Sequence, residues 1–338
     1  MAPIPAGTPR RRFTGRRRIA RVVPPELSVV VPVYNEAPNL EPLHRELTEV
    51  LAGVGRPYEI ILVDDGSTDQ SFEHLKRLQA GDRHTRVIRF RRNFGQTAAF
   101  AAGFAAARGS LIITADADLQ NDPHDIPAML AAMANGADIV CGWRRQRKDP
   151  FLTRRLPSQI ANRLISWATG VRLNDYGCSL KVFRAEVIKP LKLRGEMHRF
   201  LPALASEYGV SIVELPVNHR ARVQGASKYG LSRTVRVLLD LLTVKFLLSY
   251  STRPLQIFGL IGGAMGLAGT IILGYLGTLR IFFHEEITKH TPLTLFGILL
   301  LFTGVQLVTL GLLAELQARA VHESQGTPTY VIRETLGE

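Results

Sequence analysis

The sequence predicts an α/β fold built on a doubly wound, mostly parallel sheet, followed by two helices that cross a membrane. Three observations predict it. From Leu27 to Cys141, apolar runs of strand length alternate with stretches of helical periodicity, the pattern of βαβ units. Acidic side chains fall just after the apolar runs, where such sheets bind their ligands. Near the C-terminus, Leu255–Leu279 and Pro292–Ala314 carry no charged residue, and each is long enough to cross a hydrocarbon core of about 30 Å.

Each element follows from local pattern. Leu27 to Tyr34 is a buried strand broken by Pro32, and Asn35 to Asn39 is a turn. Leu40, Leu43, Leu47, Val50 and Leu51 have helical spacing. Tyr58 to Val63 is a second strand that runs into the acidic turn Asp64 to Asp69, and Ser71 to Gln79 is a helix. Val87 to Phe90 is a third strand, and Arg91 to Gln96 leads into the Ala-rich helix Thr97 to Ala107. Leu111-Ile112-Ile113 is a fourth strand. Beyond it come a helix over Ile126 to Asn135, a strand over Ala137 to Cys141 and an amphipathic helix over Gln159 to Thr169. A helix over Phe200 to Tyr208 and a strand over Ile212 to Val217 follow.

The fourth strand runs into Thr114-Ala115-Asp116-Ala117-Asp118-Leu119-Gln120. On extended backbone Asp116 and Asp118 would share one side, with Gln120 continuing the spacing. Oxygen ligands crowded at a strand end suit a hard divalent cation, Mg2+ or Mn2+, that keeps positions open for substrate phosphates. A polar strand end that caps the next helix is the alternative for a bare Asp-x-Asp. Tyr34, Asp64, Asp65, Arg91 and Asp116 all fall at strand ends on one edge, which favours a ligand site.

The net charge of +13 favours anionic partners: nucleic acid, phosphate-rich substrates or an anionic membrane surface. Seven arginines between Arg10 and Arg21, with no acid before Glu26, make residues 1–25 a disordered basic tail suited to solvent or to anionic lipid headgroups. No aromatic interleaving or RNA-binding module accompanies it, so nucleic acid is not an expected partner. Cys141 and Cys178 lack metal-ligand spacing and are expected to be reduced. No cleavable signal peptide is expected. Gly-x-Gly-x-x-Gly and Walker loops are missing, which leaves dinucleotide redox chemistry and ATP hydrolysis without support.

Val-Val-Val-Pro-Val-Tyr-Asn-Glu (29–36), Val-Asp-Asp-Gly-Ser-Thr-Asp (63–69), Arg-Asn-Phe-Gly-Gln (92–96) and Ala-Asp-Ala-Asp-Leu-Gln-Asn-Asp-Pro (115–123) together resemble the family-2 inverting glycosyltransferases of A-type fold. The resemblance covers about Leu27 to Tyr229. Within that family the chain is most similar to the polyprenyl-phosphate glycosyltransferases typified by dolichyl-phosphate mannose synthase. Asn174-Asp175-Tyr176-Gly177-Cys178 and Gly225-Ala226-Ser227-Lys228-Tyr229 are especially like the bacterial type that places aminoarabinose on undecaprenyl phosphate. The Gln-x-x-Arg-Trp signature of processive synthases is absent.

The resemblance implies roles. Pro32, Tyr34 and Glu36 would line the nucleotide pocket, and Asp64 and Asp65 would hold the base or ribose. Asp118 and Gln120 would bind Mg2+ or Mn2+, with Asp116 nearer the sugar. Asp116 and Asp175 are the candidate catalytic carboxylates, orienting the acceptor or sugar, with neither assigned as an obligatory base. Arg145 and Lys148, in the basic cluster Arg144 to Arg155, would bind the acceptor phosphate together with Arg222, Ser227 and Lys228. A solvated charged loop is the usual alternative for the cluster, but its place between a diphosphate site and a membrane region favours acceptor-phosphate binding, whereas the basic loop from Arg220 could equally be an ordinary surface loop. The donor would be a nucleotide sugar, UDP-linked in preference to GDP-linked, and the acceptor a polyprenyl phosphate. A homo-oligomer is compatible with the sequence. A transferase of the same fold with another lipid or glycan acceptor, and a non-catalytic membrane scaffold, are the other readings; intact Asp116, Asp118 and Gln120 argue against the scaffold.

The expected organisation is a basic tail (1–25), a catalytic domain (26–229), amphipathic interface helices (230–253), a transmembrane hairpin (254–318) and a C-terminal tail (319–338). Gly259/Gly263 and Gly262/Gly266 are small residues four apart that permit close helix contacts. Arg233, Arg236, Lys245 and Arg253 precede the first span and Arg319 follows the second, whereas the loop between them balances Arg280 and Lys289 against Glu285 and Glu286. The positive-inside rule then places both termini and the catalytic domain in the cytoplasm, at the inner membrane of a bacterium.

Overall fold

The computed structural model describes residues 24–145, 162, 165–166, 169–193, 195, 197–220, 254–284, 286–323 and 329–337. The expected basic tail therefore lies almost wholly outside the described residues. So do the interface helices 230–253 and most of the helix expected over Gln159 to Thr169.

Eight strands form one sheet in the order β7-β5-β6-β4-β1-β2-β3-β8. Its centre is β1 (Leu27–Val33), flanked in parallel by β2 (Tyr58–Asp64) and β4 (Leu111–Thr114). β3 (Thr85–Phe90) continues the parallel run beside β2. Helices α1 (Ala37–Val54), α2 (Ser71–Gly81) and α3 (Gln96–Ala106) are the crossovers. Alternation along the strands feeds two cores. Val29, Val31 and Val33 pack with Leu40, Leu43 and Leu47 of α1, Leu75 of α2 and Met129 of α4 (Ile126–Ala134). On the other face Val30, Ile61 and Val63 pack with Phe100 and Phe104 of α3. Pro32 is tolerated in this central strand because it points to the β4 side, where pairing has already stopped at Val30–Thr114.

Two strands were not legible as strands. β6 (Lys181–Arg184) inserts antiparallel between β4 and β5 (Ile139–Trp143). Its Lys-Val-Phe-Arg holds only two apolar residues between two cations, unlike the equally short but apolar β4. β5 in turn pairs in parallel with β7 (Ile212–Pro216). Between β6 and β7 lie α5 (Ala185–Ile188) and α6 (Leu201–Ser206).

Two long helices follow, α7 (Pro254–Phe282) and α8 (Thr291–Glu323). Phe258–Phe282, within α7, and Thr288–Ala314, which starts in the short helical turn Ile287–His290 and continues into α8, are long and apolar enough to cross a membrane. At 1.5 Å per residue the first reaches about 37 Å. They pack against each other at glycine backbones: a Cβ on Gly262 would lie 2.6 Å from the Gly304 carbonyl, and one on Gly269 would lie 2.7 Å from the Gly297 carbonyl. The sequence-level pair Gly262/Gly266 thus serves the hairpin itself, whereas a Cβ on Gly263 would meet nothing within 4 Å.

The chain then returns to the sheet. β8 (Ile332–Leu336), read from the sequence as tail, pairs antiparallel with β3 from Val87–Leu336 to Phe90–Ile332. The Arg91 N–H donates to the Val331 carbonyl at 3.0 Å, and Tyr330 stacks on Phe90 at 5.0 Å between ring centroids. A half-exposed edge strand of five residues carries almost no hydrophobic signal, and its partner lies far away in sequence.

Candidate active site

The strand ends β1, β2 and β4 and the turns that leave them form one edge. Behind β1, Asn35 adopts a left-handed φ of 54°, and its side-chain oxygen accepts from the Thr68 and Asp69 N–H groups. The Asn35 and Glu36 N–H groups donate to Ser67 and Ser71. The turn containing Tyr34 and Glu36 is thus stitched to the turn after β2. Tyr34 stands outward, 36% exposed, and Pro32 is half-buried.

Asp64 ends β2, Asp65 follows it, and both are buried. Asp64 accepts from the Ser67 N–H at 2.9 Å, and its other oxygen faces Arg89 at 3.4 Å. Burial raises its pKa, against the Ser67 bonds and the Arg89 charge. Asp65 accepts from the Phe94 and Gly95 N–H groups at 2.7 and 3.0 Å. Burial nevertheless pushes its carboxyl up to about 6. Gly66, at φ 68°, lets this turn press against the next one, since a Cβ there would overlap the Arg92 backbone.

The acidic motif departs from its expected geometry. β4 stops at Thr114, so residues 115–120 form a turn and not a strand extension. Leu119 sits at φ 61°, uncommon for a branched side chain and characteristic of constrained functional turns. Its side chain is buried, which pins the turn. Asp118 is buried and accepts from the Gln120 N–H at 3.2 Å. The Asp116 N–H donates to Asn121 at 3.2 Å, and the Ser179 hydroxyl donates to the same Asn121 oxygen at 2.8 Å. The Asp116 carboxylate accepts from the Gln96 amide at 2.7 Å. Burial and the Asp118 charge raise the Asp116 pKa, while Ser179, Arg144 and Lys181 oppose them.

Among the described residues, no group of three or more His, Cys, Asp or Glu side chains is arranged to enclose a metal. What is present is a pair of mutually repelling carboxylates and an amide oxygen on one turn. That donor set fits Mg2+ or Mn2+, hard ions that use one or two carboxylates and complete their shell with phosphate oxygens and water.

Asp175 is buried and fully engaged. It accepts from Arg144 Nε at 2.7 Å, from the Arg144 terminal nitrogen at 2.9 Å and from the Gly177 N–H at 3.1 Å. Burial alone would lower the Arg144 pKa, but the Asp175 bonds raise it. Arg145 turns outward over the Trp143 ring, 5.8 Å from its centroid. Lys148, Arg222, Ser227 and Lys228 lie outside the described residues. Arg220, at the start of the predicted basic loop, pairs with Glu46 and Asp122 at 2.7 Å each. Its N–H donates to the Gln120 carbonyl.

Sequence reasoning missed four contributors. Gln96 lay within a quoted motif, and Arg144 within a basic cluster whose inward member cannot be told from its neighbour without the phase of β5. Ser179 and the buried Lys181, whose ammonium donates to the Tyr176 and Cys178 carbonyls, carried no signal.

The mostly parallel sheet, with an acidic turn at its ligand edge, is followed by two helices long and apolar enough to cross a membrane, the frame of an α/β protein that binds its ligand at the strand ends. The fold is shared with glucosyl-3-phosphoglycerate synthase from Mycobacterium tuberculosis, solved with Mg2+ and uridine diphosphate: TM-score 0.52 at 18% identity, over 65% of this chain and 79% of that one. Residues 28–191 match the glycosyl transferase family 2. Over 313 residues, 91% of this chain and 92% of the relative, the sequence is 44% identical to dodecaprenyl-phosphate galacturonate synthase from Rhizobium johnstonii. It is 39% identical to undecaprenyl-phosphate 4-deoxy-4-formamido-L-arabinose transferase from Shewanella sediminis, over 92% of each chain. The chain belongs to glycosyl transferase family 2.

Proposed function

We propose that this enzyme moves a sugar from a nucleotide-sugar donor to the phosphate of a polyprenyl lipid, inverting the anomeric carbon. The observation that carries the reading is the union, in one chain, of an A-type transfer site with a membrane hairpin whose following strand rejoins the catalytic sheet. Both similar relatives are named for a polyprenyl phosphate, and their sugars, a hexuronate and a formamido-pentose, are the first to try.

Because β1 to β7 precede the hairpin and β8 follows it, two crossings return the chain to the side it left. With the excess of Lys and Arg flanking the spans, we place the domain, with both termini, on the cytoplasmic face of a bacterial inner membrane. The division into basic tail 1–25, catalytic domain 26–229, interface helices 230–253, hairpin 254–318 and C-terminal segment 319–338 belongs to this proposal, with β8 added to the catalytic sheet.

On the donor side, Pro32, Tyr34 and Glu36 would border the nucleotide, and Asp64 and Asp65 would shape its pocket through the turns they hold. Asp118 and Gln120 would hold a Mg2+ or Mn2+ ion, whose charge eases the departure of a diphosphate. Asp116 would meet the sugar. The bond that forms joins a lipid phosphate oxygen to the anomeric carbon, and the bond that breaks releases the nucleoside diphosphate. A phosphate monoester, with a second pKa near 6, is already largely dianionic, so its oxygen needs placement more than deprotonation. Arg145, Lys148, Arg222, Ser227 and Lys228 would supply that placement, since guanidinium groups clamp phosphate oxygens in pairs. Asp175 would act by fixing Arg144 beside Asp116.

The test mixes the purified full chain with labelled UDP- and GDP-sugars, Mg2+ and undecaprenyl phosphate. Label should pass into the lipid phase only when donor, cation and lipid phosphate are all present. Label appearing in a soluble glycan, or nowhere, would overturn the reading.

A further inference from the structure

Asp116 is far in sequence from Asp65, yet the structure joins the two through one turn and the side chain of Gln96. Asp65, just after β2, accepts from the N–H groups of Phe94 and Gly95 at 2.7 and 3.0 Å, one to each carboxylate oxygen. Gly66 packs against the backbone of Arg92 and Asn93 in the same turn. That turn opens α3, whose first residue is Gln96. Thr97, Ala98, Ala99 and Phe100 behind it are buried, so the start of α3 is fixed against the sheet. From there the Gln96 side chain reaches across to Asp116 and donates to its Oδ1 at 2.7 Å. A carboxylate can only accept, so the amide nitrogen must be the group that faces it.

Gln96 is not needed to start the helix. The preceding residue is Gly95, and no side chain caps the helix N-terminus. Its visible work is on Asp116. That residue sits on a turn released from β4, and its backbone N–H is held by Asn121. The Gln96 bond, together with the Ser179 side chain on the same carboxyl, holds the direction in which the carboxylate faces.

We propose that Gln96 is a positioning residue for the transfer reaction: it orients Asp116 toward the donor sugar from a turn that Asp65 sets on the nucleotide side. The proposal rests on the sugar-side role given to Asp116 above. A misplacement of about 1 Å in a group that meets the reacting centre costs on the order of 100-fold. Loss of the amide should therefore lower kcat by roughly 10- to 100-fold and leave nucleotide binding in place.

The experiment compares the wild-type full chain in nanodiscs with Gln96→Met, of similar length but no donor, and Gln96→Lys, which keeps a donor at that reach. Transfer from a UDP-sugar to undecaprenyl phosphate gives kcat and KM, and calorimetry gives the UDP dissociation constant. Hydrolysis of the UDP-sugar without lipid is followed in parallel. The expected result is a kcat loss for Gln96→Met in both reactions, an unchanged UDP dissociation constant, an unchanged Tm, and recovery of most of the rate in Gln96→Lys. Equal kcat in wild type and Gln96→Met would overturn the inference, as would a loss that Gln96→Lys shares or that tracks UDP affinity. If no protein makes lipid product but the hydrolysis ratios stand, the acceptor reading fails and the role of Gln96 survives.

Discussion

Replacing Arg144 with Met should destabilise the catalytic domain more than any single change at its surface. Asp175 is 1% exposed, and two of its bonds come from the Arg144 guanidinium at 2.7 and 2.9 Å. Removing that guanidinium strips a buried carboxylate of two charge-assisted bonds, while the backbone N–H groups of residue 144, at 3.3 Å, and Gly177, at 3.1 Å, stay in place. Stranding one member of a buried pair costs about 3–5 kcal/mol. At about 2–4 °C per kcal/mol for a domain of this size, Tm should fall by roughly 6–20 °C. The reverse change, Asp175→Asn, should cost less. Asn keeps an acceptor for Gly177, and the Arg144 side chain, 17% exposed, can turn to water. The double variant should recover much of the loss. The assay is thermal unfolding of the detergent-solubilised full chain, with transfer rates measured well below Tm. A Tm within 2 °C of wild type for Arg144→Met would refute the reasoning. So would an Asp175→Asn protein that keeps its Tm and loses all transfer, which would make Asp175 a direct participant in the chemistry.

Three further outcomes are expected. Asp118→Ala should abolish Mg2+-dependent transfer and Mg2+-dependent binding of UDP while Tm moves little; full activity in excess chelator would remove the metal assignment. Asp65, with a folded pKa of about 6 against an ordinary 3.8, binds its proton more tightly in the folded state. Its contribution to stability therefore falls as pH rises from about 4 to 6, by about 3 kcal/mol at most, and is constant above. The difference between wild-type and Asp65→Asn unfolding curves across that window should show this slope, and a slope of opposite sign would contradict it. Gly304→Ile should part the two spans, because a Cβ there would lie 2.6 Å from the Gly262 carbonyl. A crosslink between a cysteine pair engineered one into each span should form with Gly304 in place and be lost in Gly304→Ile, and its persistence would overturn the packing.

The parts of the fold legible in the sequence are those with long-range hydrophobic period. The central strands and α1 to α4 emerge within a few residues, because each buries a full face. β6 and β8 do not, since Lys-Val-Phe-Arg with cations at both ends and a half-exposed edge strand hold too few apolar positions to show a run or alternation. The acidic turn was legible as chemistry and not as shape: spacing alone puts Asp116 and Asp118 on extended backbone, whereas the left-handed Leu119 makes the segment turn. The cations were least legible. Arg144 and Arg145 are adjacent and chemically identical, and only the end of β5 decides which faces Asp175. Gln96 was visible within a motif, but its partner lies twenty positions on, across the sheet edge, where no local pattern reaches.

One phosphate, the lipid's own, should end between the sugar and the prenyl chain. Phosphorus NMR and mass spectrometry of the lipid product, alongside identification of the released nucleotide, test it directly. The expected product is a single phosphodiester linking inverted sugar to prenyl chain, with one nucleoside diphosphate released per turnover. Release of a nucleoside monophosphate with a diphosphate-linked lipid, or retention of the donor's anomeric configuration, would contradict it.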